Sequence, residues 1–199
     1  MKKVLGFSLV EVLIALSLVG IVTLALIDLY LHMKSNYQQQ QSFLDGQEEA
    51  RFITTLLTRR IHQAGNARCV DQTAVRASQA IWGHAAEMII GECMHYQGRY
   101  QFIRMRYFLG DTHRKNPRGN VISALYQQPL PGRREELVSG ISEMKIRYGV
   151  GEDKPQDINR YVAAAAVTHW NQVRSVEIVL WFDSLPKPWH LYVSLREPL

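Results

Sequence analysis

Residues 7–27 read FSLVEVLIALSLVGIVTLALI, and this nearly unbroken apolar run decides how the rest of the chain is read. At about 1.5 Å of rise per residue, a helix of about 20 such residues is long enough to cross the hydrocarbon core of a bilayer. Before it stands MKKVLG, where Lys2 and Lys3 supply the positive flank of a cytoplasmic side, and the first charge beyond it is Asp28. The remainder of the chain is therefore expected on the far side of the membrane. A conventional secretory signal would be followed by a small-residue cleavage motif, and Asp28-Leu29-Tyr30-Leu31 is not one. Glu11 is the feature that calls for explanation. It is a carboxylate near the start of the apolar run, where an unpaired charge at depth costs at least about 3 kcal/mol. A free amine at the start of a neighbouring helix would answer it, and that amine exists at this depth only if the chain is cut just before Phe7.

The hexapeptide Gly6-Phe7-Ser8-Leu9-Val10-Glu11, behind a short basic leader, resembles the class III signal of type IV pilins and related pseudopilins. The resemblance implies that a prepilin peptidase cuts between Gly6 and Phe7 and methylates the new amine of Phe7. It also implies that Glu11 neutralises the Phe7 amine of an adjoining subunit in a filament, and that the head lies in the periplasm. The sequence departs from many major pilins at Asp28, where they often carry a helix-loosening proline; the first proline is Pro117. Gly20 is the one weak point of the run, because glycine costs about 1 kcal/mol relative to alanine in a helix and also lets helices approach closely.

A second resemblance narrows the family. EEARFITTLLTRRIHQAGNARC at 48–69, LVSGISEMKIRYGV at 137–150 and the run from Trp170 to Val176 are similar in order and spacing to PilW-type minor pilins and their J-type pseudopilin relatives. The implied role is in pilus assembly and initiation at the filament tip. The implied partners are other minor pilins, the major pilin, the prepilin peptidase, the inner-membrane assembly platform and membrane lipid. The chief rival is a J-type minor pseudopilin of a type II secretion system. A DNA-uptake pilin, with Arg114, Lys115 and Arg118 on phosphates, is a second.

The organisation beyond the membrane agrees with an α+β, type IV pilin-like fold: a long N-terminal helix, transmembrane in its first half, packed on an antiparallel β-sheet head. Ala50, Ile53, Leu57, Ile61 and Ala64 recur at spacings of three and four, and Gly65-Asn66 is a stop signal, which predicts one helix of about 55 residues. The expected division is a leader at 1–6, a transmembrane or filament-core helix at 7–27, its amphipathic continuation at 28–66 and a periplasmic head at 67–199. Period-two runs at Ile103-Met105-Tyr107-Leu109 and Met144-Ile146-Tyr148-Val150 read as strands. Val176-Ile178-Leu180-Phe182 and Trp189-Leu191-Val193-Leu195, joined through Pro186-Lys187-Pro188, read as a terminal hairpin with one face buried. The alanine-rich stretch from Tyr161 to Trp170 suggests a short helix, and Gly110 to Gly119 an exposed loop.

With 199 residues, 47% of them hydrophobic, the chain supplies one anchor and one modest core rather than two. The net charge of +5 is spread over small clusters such as Arg59-Arg60 and Arg133-Arg134, which read as solvated surface rather than a nucleic-acid site. The two cysteines, Cys69 and Cys93, suit one disulfide in an oxidising compartment, where closing a loop of about 25 residues would contribute about 3 kcal/mol. Two unpaired thiols are the alternative. A zinc site with His84 and His95 lacks any paired C-x-x-C spacing, so no metal and no cofactor are expected. No H-E-x-x-H, G-x-S-x-G, Walker A or dinucleotide motif occurs, so no enzyme and no catalytic residue are expected. Trp189 alternates in phase with Leu191 and Val193 and points inward. Trp181 is out of phase with Leu180 and Phe182 and is the candidate partner contact.

Overall fold

The computed structural model describes residues 9–64, 81–84, 86–96, 99–116, 119–151 and 158–195. Its first element, α1, is a 55-residue helix from Leu9 to Gln63. The chain forms two compact units, Met1–Leu44 and Asp45–Leu199, and α1 contributes to both. In the first unit every described side chain is exposed. In the second, Ala50, Ile53, Leu57 and Ile61 are at most 1% exposed and Ala64 is buried. Their spacing of three and four gathers them into one stripe.

That stripe is covered by two antiparallel sheets. The first has the order β1-β2-β3-β4-β5, from strands Ile81–His84, Glu87–Tyr96, Arg99–Lys115, Val121–Leu130 and Glu135–Ser139. The second has the order β7-β6-β8-β9, from Ile158–Val162, Ile141–Gly151, Val173–Phe182 and Trp189–Ser194. The chain passes between sheets at Gly140, whose φ of 74° is open to glycine at little cost. Its N–H donates to the Ser123 carbonyl and its own carbonyl accepts from Asp183, so this one residue is tied to both sheets. Inward residues of both sheets, among them Ile90, Met105, Tyr107, Leu125, Ile146, Tyr148, Ile178 and Leu180, form one core with the helix stripe.

The terminal hairpin is present, with Val176 opposite Val193, Ile178 opposite Leu191 and Leu180 opposite Trp189. β8 differs from the expectation of a single buried face, because Ser175, Glu177 and Val179 on its other side are buried as well. β6 alternates as expected through Met144, Ile146 and Tyr148, and the alternation then breaks: Gly149, opposite Ser175 on the outer face, is buried as well, and after the register shift at Val150 so is Gly151. The Gly110–Gly119 stretch is not a loop throughout. β3 continues to Lys115 across a bulge where His113 takes φ 60°, its N–H held by the Asp111 carboxylate at 2.5 Å. The Thr112 hydroxyl reaches the Ile122 carbonyl at 2.7 Å, so polar side chains replace the missing ladder bonds. The alanine-rich stretch does not make a regular helix. β7 takes Tyr161 and Val162, and only 3-10 turns follow at Ala164–Ala166 and Trp170–Gln172, neither with a side-chain cap.

Three contacts besides the apolar stripe fix the helix on the head. Gly46 packs so closely on the turn after β8 that an added Cβ would collide with the Ser184 side chain and lie 3.3 Å from Leu185 Cδ2. The Thr54 hydroxyl donates to the Ala50 carbonyl at 2.8 Å and accepts the Trp189 indole N–H at 2.9 Å. Arg60, the partner of Arg59 in an apparently solvated pair, reaches inward to Glu92 at 2.5 Å, and Glu92 is only 2% exposed.

Burial is the larger influence on Glu92 and pushes its carboxyl above the usual value of 4.5, while Arg60 pulls it back. The folded state thus holds this proton more tightly than the unfolded chain, so the contribution of Glu92 is present below pH 4.5 and is lost as pH rises through the elevated value. Arg60→Ala leaves only the upward influence. The variant is expected to lose about 3 kcal/mol at neutral pH and to weaken more steeply than the parent as pH rises, measured by urea unfolding of the detergent-solubilised chain across pH. Equal pH profiles for parent and variant would contradict the assignment.

Candidate assembly surfaces

Two surfaces, one in each unit, are built for contact rather than for chemistry. From Leu9 to Ile27 the side chains of α1 are apolar on every face, and the helix is long and apolar enough to cross a membrane. Its two hydroxyls are satisfied within the helix: Ser17 donates to the Leu13 carbonyl at 2.8 Å and Thr23 to the Val19 carbonyl at 2.7 Å. Glu11 is the only ionisable side chain in this stretch and makes no hydrogen bond or ion pair among the described residues. An added Cβ at Gly20 would meet nothing within 4 Å, so no contact inside the unit requires a glycine there. The helix runs unbroken through Asp28, which faces His32 one turn on at 3.7 Å. Gly6 and Phe7 lie outside the described residues.

The second surface is the outer face of the four-stranded sheet. Cross-strand register puts Arg147 opposite Glu177 and Glu177 opposite Tyr192. The Glu177 carboxylate, nearly buried, takes the Tyr192 hydroxyl at 2.7 Å and the Arg147 guanidinium at 3.3 Å. The bond to Glu177 pushes the Tyr192 phenol up, since losing its proton would set two anions together. Arg147 also donates to the Tyr161 carbonyl, and the Ser175 hydroxyl donates to the Tyr161 hydroxyl at 3.1 Å. Trp181 stands on this same outer face, opposite Glu143, with the Lys145 ammonium 4.7 Å from its ring centroid. Trp189 faces the other way, onto Thr54 of α1.

The remaining residues singled out in the sequence are dispersed. Cys69 lies outside the described residues; Cys93 is in β2 opposite Phe102, and its side chain is likewise outside them. His84 ends β1. Among the described residues no three His, Cys, Asp or Glu side chains come close enough to hold a metal ion. Arg114 is engaged by Glu136, and Lys115 ends β3 instead of standing on a free loop. The burial of Glu92 and Glu177 was not legible beforehand, because only the seating of α1 brings Arg60 to Glu92 and only strand register brings Arg147 to Glu177.

Residues 106–189 match the family described as Type IV Pilus-assembly protein W, PilW. Residues 1–27 match the prokaryotic N-terminal methylation motif. The chain belongs to the type IV pilin-like proteins, of the PilW type. The PilW match spans β4 to β8 entirely, together with most of the outer face around Glu177, and the motif match contains the whole apolar stretch around Glu11. Comparison with curated proteins gave no significant match. As a PilW-type protein the chain is part of a structural pilin family and not of an enzyme family. Its partners are those of the pilus machinery in general, and its apolar helix is consistent with anchoring in the inner membrane before assembly.

The two tryptophans of the terminal hairpin should separate cleanly. Trp189→Ala removes a ring seated on the helix and is expected to cost about 3 kcal/mol. Trp181→Ser loses chiefly an exposed ammonium–ring contact worth about 1 kcal/mol. Thermal denaturation of the two detergent-solubilised variants reads the difference, and equal losses would contradict the facing of the two rings.

Proposed function

We propose that this PilW-type protein is a minor pilin that acts by being built into a filament and takes part in initiating it at the tip. In this reading the leader at 1–6 is removed by a prepilin peptidase between Gly6 and Phe7, and the Phe7 amine is methylated. The helix at 7–27 then serves as membrane span and afterwards as filament core, residues 28–66 continue it, and 67–199 form the periplasmic head. Glu11 pairs with the Phe7 amine of an adjoining subunit. The observation that carries this reading is the isolation of Glu11: a lone carboxylate on a helix that is apolar on every face, with no partner among the described residues. Such a group is tolerated at membrane depth when another chain supplies the countercharge.

Other minor pilins, the major pilin and the inner-membrane assembly platform are the partners of this step. The Trp181 ring, partly exposed on the outer sheet face, is the proposed partner contact on the head. A Cys69–Cys93 bridge would staple the segment between α1 and β2 in the oxidising periplasm. The rival role in a secretion pseudopilus uses the same leader chemistry, so cell-surface fibres against secreted cargo distinguish them. The DNA-uptake reading is weakened by the pairing of Arg114 with Glu136.

Glu11→Leu tests the central step. The variant is expected to insert in the membrane and lose its leader normally, yet to fall about tenfold or more in sheared fibres, scaled to loss of a desolvated charge pair. Incorporation of Glu11→Leu at the parental level, read by immunoblot of purified fibres, would overturn the role given to Glu11.

A further inference from the structure

The four edge strands of the two sheets are unequal. β1 has only four residues; β5 begins with Glu135 and Glu136 and is paired across a register shift; β7 carries Arg160 and is also paired across a shift. Short length, charge and bulges are the devices by which sheet edges are kept from pairing with other chains. β9, with the sequence WHLYVS, has none of them: six residues, rich in aromatic and β-branched types, with no bulge in its pairing to β8 and neither Lys, Asp, Glu nor Pro within it.

The geometry of this edge follows from the ladder. Leu195 N–H donates to the Arg174 carbonyl at 2.7 Å, and bonded pairs alternate along an antiparallel ladder, so Val193, Leu191 and Trp189 turn their backbone groups toward β8. His190, Tyr192 and Ser194 therefore turn their N–H and C=O groups to the outer edge, where no described strand pairs with them. The side chains of these same residues are exposed, and Tyr192, at 59%, is the most exposed large apolar side chain among the described residues of the head. Tyr192 also adjoins the outer face that carries Trp181, so edge and face form one continuous surface.

We propose that the outer edge of β9 is a strand-docking site, at which an extended segment of another pilus subunit adds as a fifth strand to the four-stranded sheet. The occupant follows from the chemistry of the edge. Unpaired backbone groups at every second residue are satisfied by a strand and not by a helix or a headgroup. On the inner side the added strand borders Leu191 and Val193, and on the outer side Tyr192 and His190, so it alternates apolar residues with polar or aromatic ones. This inference rests on the assembly reading above and names the contact within it.

Proline separates backbone from side chain. His190→Pro with Ser194→Pro removes two outward N–H groups without taking a bond from β8, whereas His190→Ala with Ser194→Ala keeps the backbone donors. The proline pair is expected to keep the parental melting temperature, but to co-purify with the other minor pilins about tenfold less from membranes of a host with the complete machinery, while the alanine pair co-purifies normally. Hydrogen exchange on the complex provides the second measurement: the His190, Tyr192 and Ser194 amides gain protection on assembly. Parental co-purification by the folded proline pair, equal loss by the alanine pair, unchanged exchange at these amides, or a symmetric β9-to-β9 homodimer would each overturn the proposal. Leader removal, followed in the same samples, reports separately on the assembly reading, since an uncut parent chain would sink that reading whatever the edge does.

Discussion

Ala50, Ile53, Leu57 and Ile61 bind one helix to two sheets, and most of the head is arranged around that stripe. Full burial of each of the three larger side chains contributes roughly 1.5–3 kcal/mol. The polar contacts of the helix depend on the same seating: Thr54 meets Trp189 from β9, Arg60 meets Glu92 from β2, and Gly46 lies against the turn between β8 and β9. A shift of the helix by one turn would strand the Glu92 carboxylate and press side chains onto the Ser184 turn. The first unit obeys the opposite condition. Its apolar side chains lie on all faces and meet no cover in their own chain among the described residues, so lipid or other subunits must complete it.

The helix was legible because period and composition agree along it. Its buried stripe followed from residue spacing, its length from the apolar run and the Gly65-Asn66 stop, and its passage through Asp28 from the absence of a proline there. The paired strands of the terminal hairpin were legible for the same reason, since Val176-Ile178-Leu180 and Trp189-Leu191-Val193 keep strict alternation. Legibility failed where side chains substitute for backbone pairing. The Asp111–Lys115 stretch reads as a polar loop, yet Asp111 and Thr112 carry the strand across its bulge. In the alanine-rich segment, helix propensity lost to the pairing of Tyr161 and Val162 with β6, a tertiary preference that no local window contains.

The assembly surfaces divide in the same way. Glu11 stands out in sequence because its surroundings are contiguous along the chain and uniformly apolar. Glu92 and Glu177 do not, because their partners are 32 and 30 residues away, one brought by the packing of α1 and the other by strand register. Arg59-Arg60 looks like a solvated pair until Arg60 is seen against Glu92. The inward facing of Trp189 was readable from alternation; the hydroxyl that receives its indole N–H was not. The open edge of β9 required both levels, sequence for the missing protective residues and topology for its position outside the ladder.

The most direct measurement is intact-mass spectrometry of the membrane-extracted protein from hosts with and without the prepilin peptidase. The account predicts loss of residues 1–6 and gain of one methyl group on Phe7 only where the peptidase is present. An uncut chain in both hosts would contradict it, leaving an ordinary membrane anchor and no amine for Glu11 to meet.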